Sequence, residues 1–230
     1  MTILNDISVS VQSGSTGQTE ELVAQALKEN CQPAKILREG LVAGVLEMER
    51  KFYSGEVLAS EVLIAERTMK AGLQILTPAL ENEQSPPVGT VITGTLEGDI
   101  RETEKDIISV LMQSLGLRVI DLGTSVSSVR FIETAVEEKA QIIVCSTMLT
   151  TFLPQMKSLV QAASQADIRG KTKILLSGGP VSEWFCKSIE ADMYAPDPIQ
   201  AAEMAAEHCR KIHLKFCPKT PIENHERKTE

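Results

Sequence analysis

The chain has 230 residues and a formal net charge of −8, which excludes the broad basic field that nucleic-acid binding requires. Hydrophobic residues make up 43% and aromatics 3%, so the core is aliphatic, which suits helices and a Val/Ile/Leu-rich parallel sheet rather than an aromatic-rich β-sandwich. Five scattered cysteines (Cys31, Cys145, Cys186, Cys209, Cys217) form no C-x-x-C, no signal peptide is evident and no apolar run reaches the ~20 residues of a membrane span, so a soluble protein of the reducing cytoplasm is expected.

Residues 1–18 are polar and Ser/Gly-rich and read as a loosely ordered lead-in. From Thr19, a candidate N-cap, "TEELVAQALKEN" places Leu22, Val23, Ala26 and Leu27 on one helical face. Pro33 suits a first helical position for "PAKILREG". "LVAGVLEMERKFYSGE" reads as a third amphipathic helix closed by Gly55. "VLASEVLIAERTMKAGLQILTPAL" reads as a fourth, with Leu58, Val62, Ala65, Met69, Leu73 and Leu76 at three- and four-residue steps. A helical-bundle cap over 1–83 is therefore expected. "ENEQSPPVG" breaks the pattern as a linker.

From residue 88 to 217 the rhythm becomes strand, helix, strand, helix. "GTVITGT", "LRVIDLG", "QIIVCST", "KILLSG" and "DMYA" read as strands, with helical patterns between and after them. This predicts an α/β fold, a doubly wound five-stranded parallel sheet of flavodoxin-like order 2-1-3-4-5. Residues 218–230 read as a flexible tail.

In such a sheet ligands bind at the carboxyl edge of the strands. Four loops meet there. The first is "LEGDIRETEK". The second, Cys145 to Pro154, interleaves four hydroxyl residues with Met148 and Leu149. The third is "SGGPVS", where paired glycines let a bulky ligand approach the backbone. The fourth is "YAPDP". Each alone reads as an ordinary cap or turn. Their convergence on one edge favours a large ligand bearing amides and a phosphate. Cys145 reads as core rather than nucleophile, and Trp184 and Phe185 as packed on the sheet. Cys209, His213 and Cys217 recur at four-residue steps but lack a fourth zinc ligand.

The chain from about Thr19 to Phe216 resembles the cobalamin (corrinoid) proteins of methyltransferase systems and the cobalamin module of methionine synthase. The resemblance rests on "KFYSGE…ASEVLIAERTMKAGLQIL" in the cap and on "TGTLEGDI", "LRVIDLG", "CSTMLTTFLPQMK", "SGGPVSEWF" and "ADMYAPD" in the sheet domain. The family's first turn reads D-x-H-x-x-G. Its histidine is the lower axial ligand of cobalt, its aspartate orients that histidine, and its glycine makes room for the cofactor's nucleotide tail. Here Asp99 is kept, Arg101 replaces the histidine and Glu104 replaces the glycine. A guanidinium has no lone pair to offer, so no protein ligand to cobalt is expected. Asp99 is expected to pair with Arg101 or Lys105, and Glu104 either to narrow the tail entrance or to turn outward.

By resemblance, the cofactor is cobalamin, bordered by Gly98, Asp99, Ile100, Arg101, Glu104, Ser146, Met148, Leu149, Thr150, Thr151, Gly178, Gly179, Tyr194, Ala195, Pro196 and Asp197. Met69 is expected to help cover its upper face. The implied function is a corrinoid carrier that holds the cofactor base-off without a histidine and passes methyl groups between partner methyltransferases. It is a cofactor-carrying subunit rather than a stand-alone enzyme, and a homo-oligomer is compatible with the sequence. The alternative is a non-catalytic corrinoid sensor or store, or a relative that has lost the cofactor and acts through protein contacts.

Overall fold

A computed structural model describes residues 2–82 and 86–216. Part of the expected linker, the tail from Pro218, Cys217 and His225 lie outside the described residues.

The expected loose lead-in is instead a helix. α1 (Ile3–Gln12) buries Ile7 and Val11 completely. Ile3, Ile7 and Val11 recur every four residues, so one apolar face forms despite the polar neighbours. A Cβ at Gly40 would lie 2.9 Å from Ile7, and one at Gly44 2.7 Å from Val11. Two glycines four residues apart thus let the backbones close on each other. α2 (Thr16–Lys28) starts before Thr19, which is not the cap. Thr19 is buried inside the bundle and shares a 2.7 Å hydrogen bond with Ser10.

The two helices expected over 33–55 are one rod. α3 (Pro33–Lys35), with Pro33 in its first turn, runs into a π-helical stretch (Ile36–Val42) and on into α4 (Ala43–Tyr53). Gly55, at φ +77°, follows the end of α4. α5 (Ala59–Asn82) completes the bundle. Four helical rods result, but they are not the four drawn from the sequence.

The second half follows the expected alternation: β1 (Thr90–Gly94), α6 (Thr103–Ser114), β2 (Arg118–Asp121), α7 (Ser128–Glu137), β3 (Ile142–Ser146), α8 (Leu153–Gln165), β4 (Lys173–Ser177), α9 (Glu183–Ser188), β5 (Met193–Ala195) and α10 (Pro198–Phe216). The strands are all parallel in the order β2-β1-β3-β4-β5. Alternate residues face opposite layers. Val91, Val144 and Leu175 share one core with α6, α10 and the helical cap. Ile92, Ile143, Cys145 and Leu176 share the other with Phe131 of α7 and Met156 and Leu159 of α8. The cap therefore packs against one face of the sheet domain.

Trp184 departs from expectation. It is 77% exposed on the one-and-a-half-turn α9, while its neighbour Phe185 packs inward. Such a short helix can turn only one of two adjacent side chains to the sheet. Cys209 is buried on α10, where a Cβ on Gly89 would touch its sulfur, and no cluster of metal-ligating side chains occurs among the described residues. No helix among the described residues is long and apolar enough to cross a membrane.

Because Ile7 is fully buried, Ile7→Ala is expected to cost about 2–4 kcal/mol in urea or thermal unfolding. An unchanged midpoint would mean that α1 is the loose lead-in its composition suggests.

Candidate functional site

The strand register brings the four loops together. Gly94 lies beside Cys145, Ser146 beside Ser177, and Ser177 beside Ala195. The strands thus end level, and their following loops form one rim.

The first loop is tied down by its aspartate. Asp99 is 2% exposed. One carboxylate oxygen accepts the Arg101 backbone N–H at 3.0 Å, and the other accepts the Thr147 hydroxyl at 2.9 Å. The Arg101 guanidinium reaches the same carboxylate only at 4.0 Å and is half exposed. The second expected partner is not used: Lys105 turns away to Asp106 (2.8 Å) and Asp121 (2.5 Å). Gly98, at φ +87°, makes the turn, and its N–H donates to Ser125 at 3.0 Å. The Thr95 hydroxyl donates to the Asp99 carbonyl. Asp99 thereby joins the loop after β1 to the loop after β3.

The third loop is a close backbone contact. Gly178 has φ +119°, and a Cβ there would stand 1.9 Å from the Thr147 carbonyl oxygen. Only glycine fits. Gly179 next to it is exposed, but the Tyr53 hydroxyl of α4 lies over it, 2.6 Å from where a Cβ would be. That hydroxyl also donates to the Met148 sulfur at 3.7 Å. The cap thus meets the rim through Tyr53, a residue that its sequence motif did not single out.

Beside this contact is a cavity of about 440 Å³. Tyr53, Glu49 and Leu46 of α4 line one side, and Glu104, Met148 and Gly179 the other; Pro196 and Asp197 close it. Glu104 is 7% exposed, so it has turned inward and not to solvent. One of its oxygens accepts from Ser177 at 3.5 Å, and the other has no partner among the described residues. Burial, reinforced by the Glu49 charge, raises the Glu104 carboxyl to about 8. Burial, with Glu66 beside it, raises Glu49 to about 7. Glu66 is raised as well, chiefly by burial, although Thr103 donates to it at 2.9 Å. A line of three acids crosses the seam between the cap and α6.

The expected site residues fall into three groups. Glu104, Met148, Gly179, Pro196 and Asp197 line the cavity together. Gly98, Asp99, Arg101, Ser146, Gly178, Tyr194 and Ala195 form the rim behind it. Ile100 and Leu149 stand exposed on the rim, Ile100 at 77%, beside the exposed Thr150 and Thr151. Exposed aliphatic groups at a ligand edge suit a broad apolar face laid over them. Met69 does not join them. It is buried in the cap core among Leu37, Val42 and Leu73, because its place in the α5 repeat points it into the bundle. Glu49, Tyr53, Glu66 and Thr147 were not anticipated as site residues. They are single polar residues within helical or capping patterns, and only the fold brings them to the rim.

The acids set a pH dependence. A carboxyl raised in the folded state stabilises the fold fully below its ordinary value near 4.5 and loses that contribution as pH rises through 8. The protein is therefore expected to lose stability between pH 5 and 9. Glu104→Gln should reduce that loss and be more stable than the native chain at pH 9 by on the order of 2 kcal/mol. An equal change in unfolding free energy between pH 5 and 9 for the two proteins, read by urea unfolding, would refute the assignment; any change left in the variant belongs to Glu49 and Glu66.

Comparison with known proteins gives the family. A family model described as "B12 binding domain" matches residues 89–203, and a second of the same description matches residues 3–77. Trimethylamine corrinoid protein 1 of Methanosarcina mazei is 34% identical over 176 residues, covering 76% of this chain and 82% of that protein. A corrinoid protein of Desulfitobacterium hafniense is 30% identical over 208 residues, covering 89% and 96%. Among solved structures, the Methanosarcina barkeri monomethylamine corrinoid protein superposes with a TM-score of 0.75 at 26% identity, covering 89% of this chain and 97% of that one. The overall fold is thus shared along nearly the whole chain, which belongs to the B12-binding family of corrinoid proteins.

Proposed function

We propose that this chain binds cobalamin in the base-off form with no protein ligand to cobalt, and carries methyl groups between partner methyltransferases. The carrier role rests on its similarity to trimethylamine and dimethylamine corrinoid proteins. The absence of a lower ligand rests on one observation: Asp99, the carboxylate that would orient an imidazole, is already engaged by the Arg101 N–H and the Thr147 hydroxyl.

No described histidine can replace the missing ligand. His208 and His213 lie on α10, which leaves the rim at Pro198. At 1.5 Å per residue they are about 15 and 22 Å further along the helix. The rim itself suits the cofactor. Ile100 and Leu149 offer an apolar platform, Gly178 keeps the backbone flat against Thr147, and Ser146 and Ser177 place hydroxyls at the strand ends. The unpartnered oxygen of Glu104 leaves one polar position open beside them. Bound cobalamin supplies the cobalt that takes and releases the methyl group. The rim loops would hold it with no donor offered to the metal by Arg101, and the cap meets that rim through Tyr53.

The inward turn of Glu104 favours a second reading. Its side chain fills space that glycine opens in the family, as expected of a relative that has lost the cofactor and acts through protein contacts. If Glu104→Gly with Arg101→His gains corrinoid binding that the native chain lacks, this second reading is correct. A corrinoid sensor or store is favoured if the native chain binds the cofactor but transfers no methyl group with methyltransferases.

Purified chain mixed with cobalamin is expected to retain it with a base-off visible spectrum. Replacing His208, His213 or His225 should leave that spectrum unchanged. No retained corrinoid at micromolar protein would end the carrier reading.

A further inference from the structure

The carboxyl of Glu104 is satisfied on one side only. Ser177, itself fully buried, donates its hydroxyl to Oε1, whereas Oε2 has no partner among the described residues. The acid stands in a cavity of about 440 Å³ with Tyr53, Met148 and Gly179 around it. In water such a group would find partners at once; buried, each unmade hydrogen bond is costly. Its ionisation is the key. Burial and the facing Glu49 keep Glu104 in its acid form near neutral pH. Since Oε1 is the oxygen receiving the Ser177 hydrogen, the acid proton belongs on Oε2. The missing partner is therefore a hydrogen-bond acceptor.

We propose that Glu104 is a specificity-determining residue that donates a hydrogen bond to an acceptor on the nucleotide part of the bound corrinoid, and so distinguishes cobalamin from a corrinoid lacking the nucleotide. This rests on the corrinoid-binding reading above. The nucleotide carries acceptors, in its phosphate oxygens, ribose hydroxyls and base nitrogen. The amides at the edge of the corrin ring also carry acceptors, but cobinamide shares these, so comparing the two corrinoids separates the sources.

The other charged groups around Glu104 leave it the donor. From α4 come Glu49, Tyr53 and Arg50, and Arg50 is engaged by Glu47 at 2.7 Å. From α5, Glu66 acts through Glu49. From the loop before α6, Arg101 favours the ionised form of Glu104 and Asp99 opposes it. From the loop after β5 comes Asp197, whose carboxylate accepts from the Gln200 backbone N–H at 2.8 Å and from its side-chain amide at 2.7 Å. A phosphate brought to Oε2 would deepen the preference for the acid form, and deprotonating the acid would remove the donor and add repulsion.

The test is equilibrium binding, read from the visible spectrum of retained corrinoid, at pH 7 and pH 9.5. For the native chain, cobalamin affinity is expected to fall at least about tenfold between the two, because only the protonated acid donates. Cobinamide affinity should not change. Glu104→Gln keeps a donor that does not titrate, so its cobalamin affinity should be level across this range. A level cobalamin profile in the native chain overturns the proposal, as does an equal fall for cobinamide. A fall that survives in Glu104→Gln also overturns it, assigning the effect to Glu49. The native-chain comparison of the two corrinoids decides the matter even if the variant does not fold. Retention of no corrinoid at either pH overturns this proposal together with the functional reading, whereas retention with a level profile overturns this proposal alone.

Discussion

The rim is held in shape by two contacts on Thr147. Its hydroxyl donates to Asp99, and its carbonyl lies against the Cβ-less face of Gly178. The first joins β1's loop to β3's loop. The second presses β4's loop onto the same residue. Three successive strands of the sheet order are thus fixed to one another exactly where their backbone ladders end. A charge-assisted hydrogen bond in a buried place is stronger than one in water, and a close backbone contact has no slack. Loops on a parallel sheet are otherwise its most mobile parts. Here these contacts tie them together, with Ile100 and Leu149 left exposed on the surface they form.

The cap meets that surface. Tyr53 reaches the rim at Gly179 and Met148, and Lys70 pairs with Asp106 at 2.8 Å further along the seam. Between these lie Glu49, Glu66 and Glu104, three acids whose charges disfavour one another. Apolar packing of the cap on α6 and α10 outweighs this strain, as the continuous core through Met69, Ile107 and Ala205 indicates. The seam is therefore strong at the aliphatic core and weaker at the acidic rim.

Much of this was legible in the sequence. The strands are short β-branched runs between helical repeats, and such runs have few other arrangements, so their order followed from chain order and handedness. The four rim loops followed too, because strand ends must meet at one edge, whereas the residues chosen within them came from the family resemblance. Other features depended on contacts that no local pattern records. α1 was obscured by its serines, although Ile7 and Val11 carry the helical step. The join of α3 to α4 through π-helical turns adds residues that a period of 3.6 cannot register. Met69 lies on the correct helix but on its buried face. Whether Glu104 faced water or protein turned on the space between Ser177 and Tyr53, which belong to different layers of the fold.

The two departures in the first turn are also linked to each other. Burying an acid at position 104 is costly, and the nearby guanidinium of Arg101 offsets part of that cost by favouring the charged form. Asp99 acts in the opposite sense on the same group. A neutral histidine at 101 would supply no such offset. The exchange has a chemical consequence. It puts a residue that cannot donate to a metal where the family has a histidine, and adds a buried carboxyl to the same turn. On the reading proposed above, the turn gives up a hold on the metal and takes up, through Glu104, a hold on the rest of the cofactor that its ionisation couples to pH.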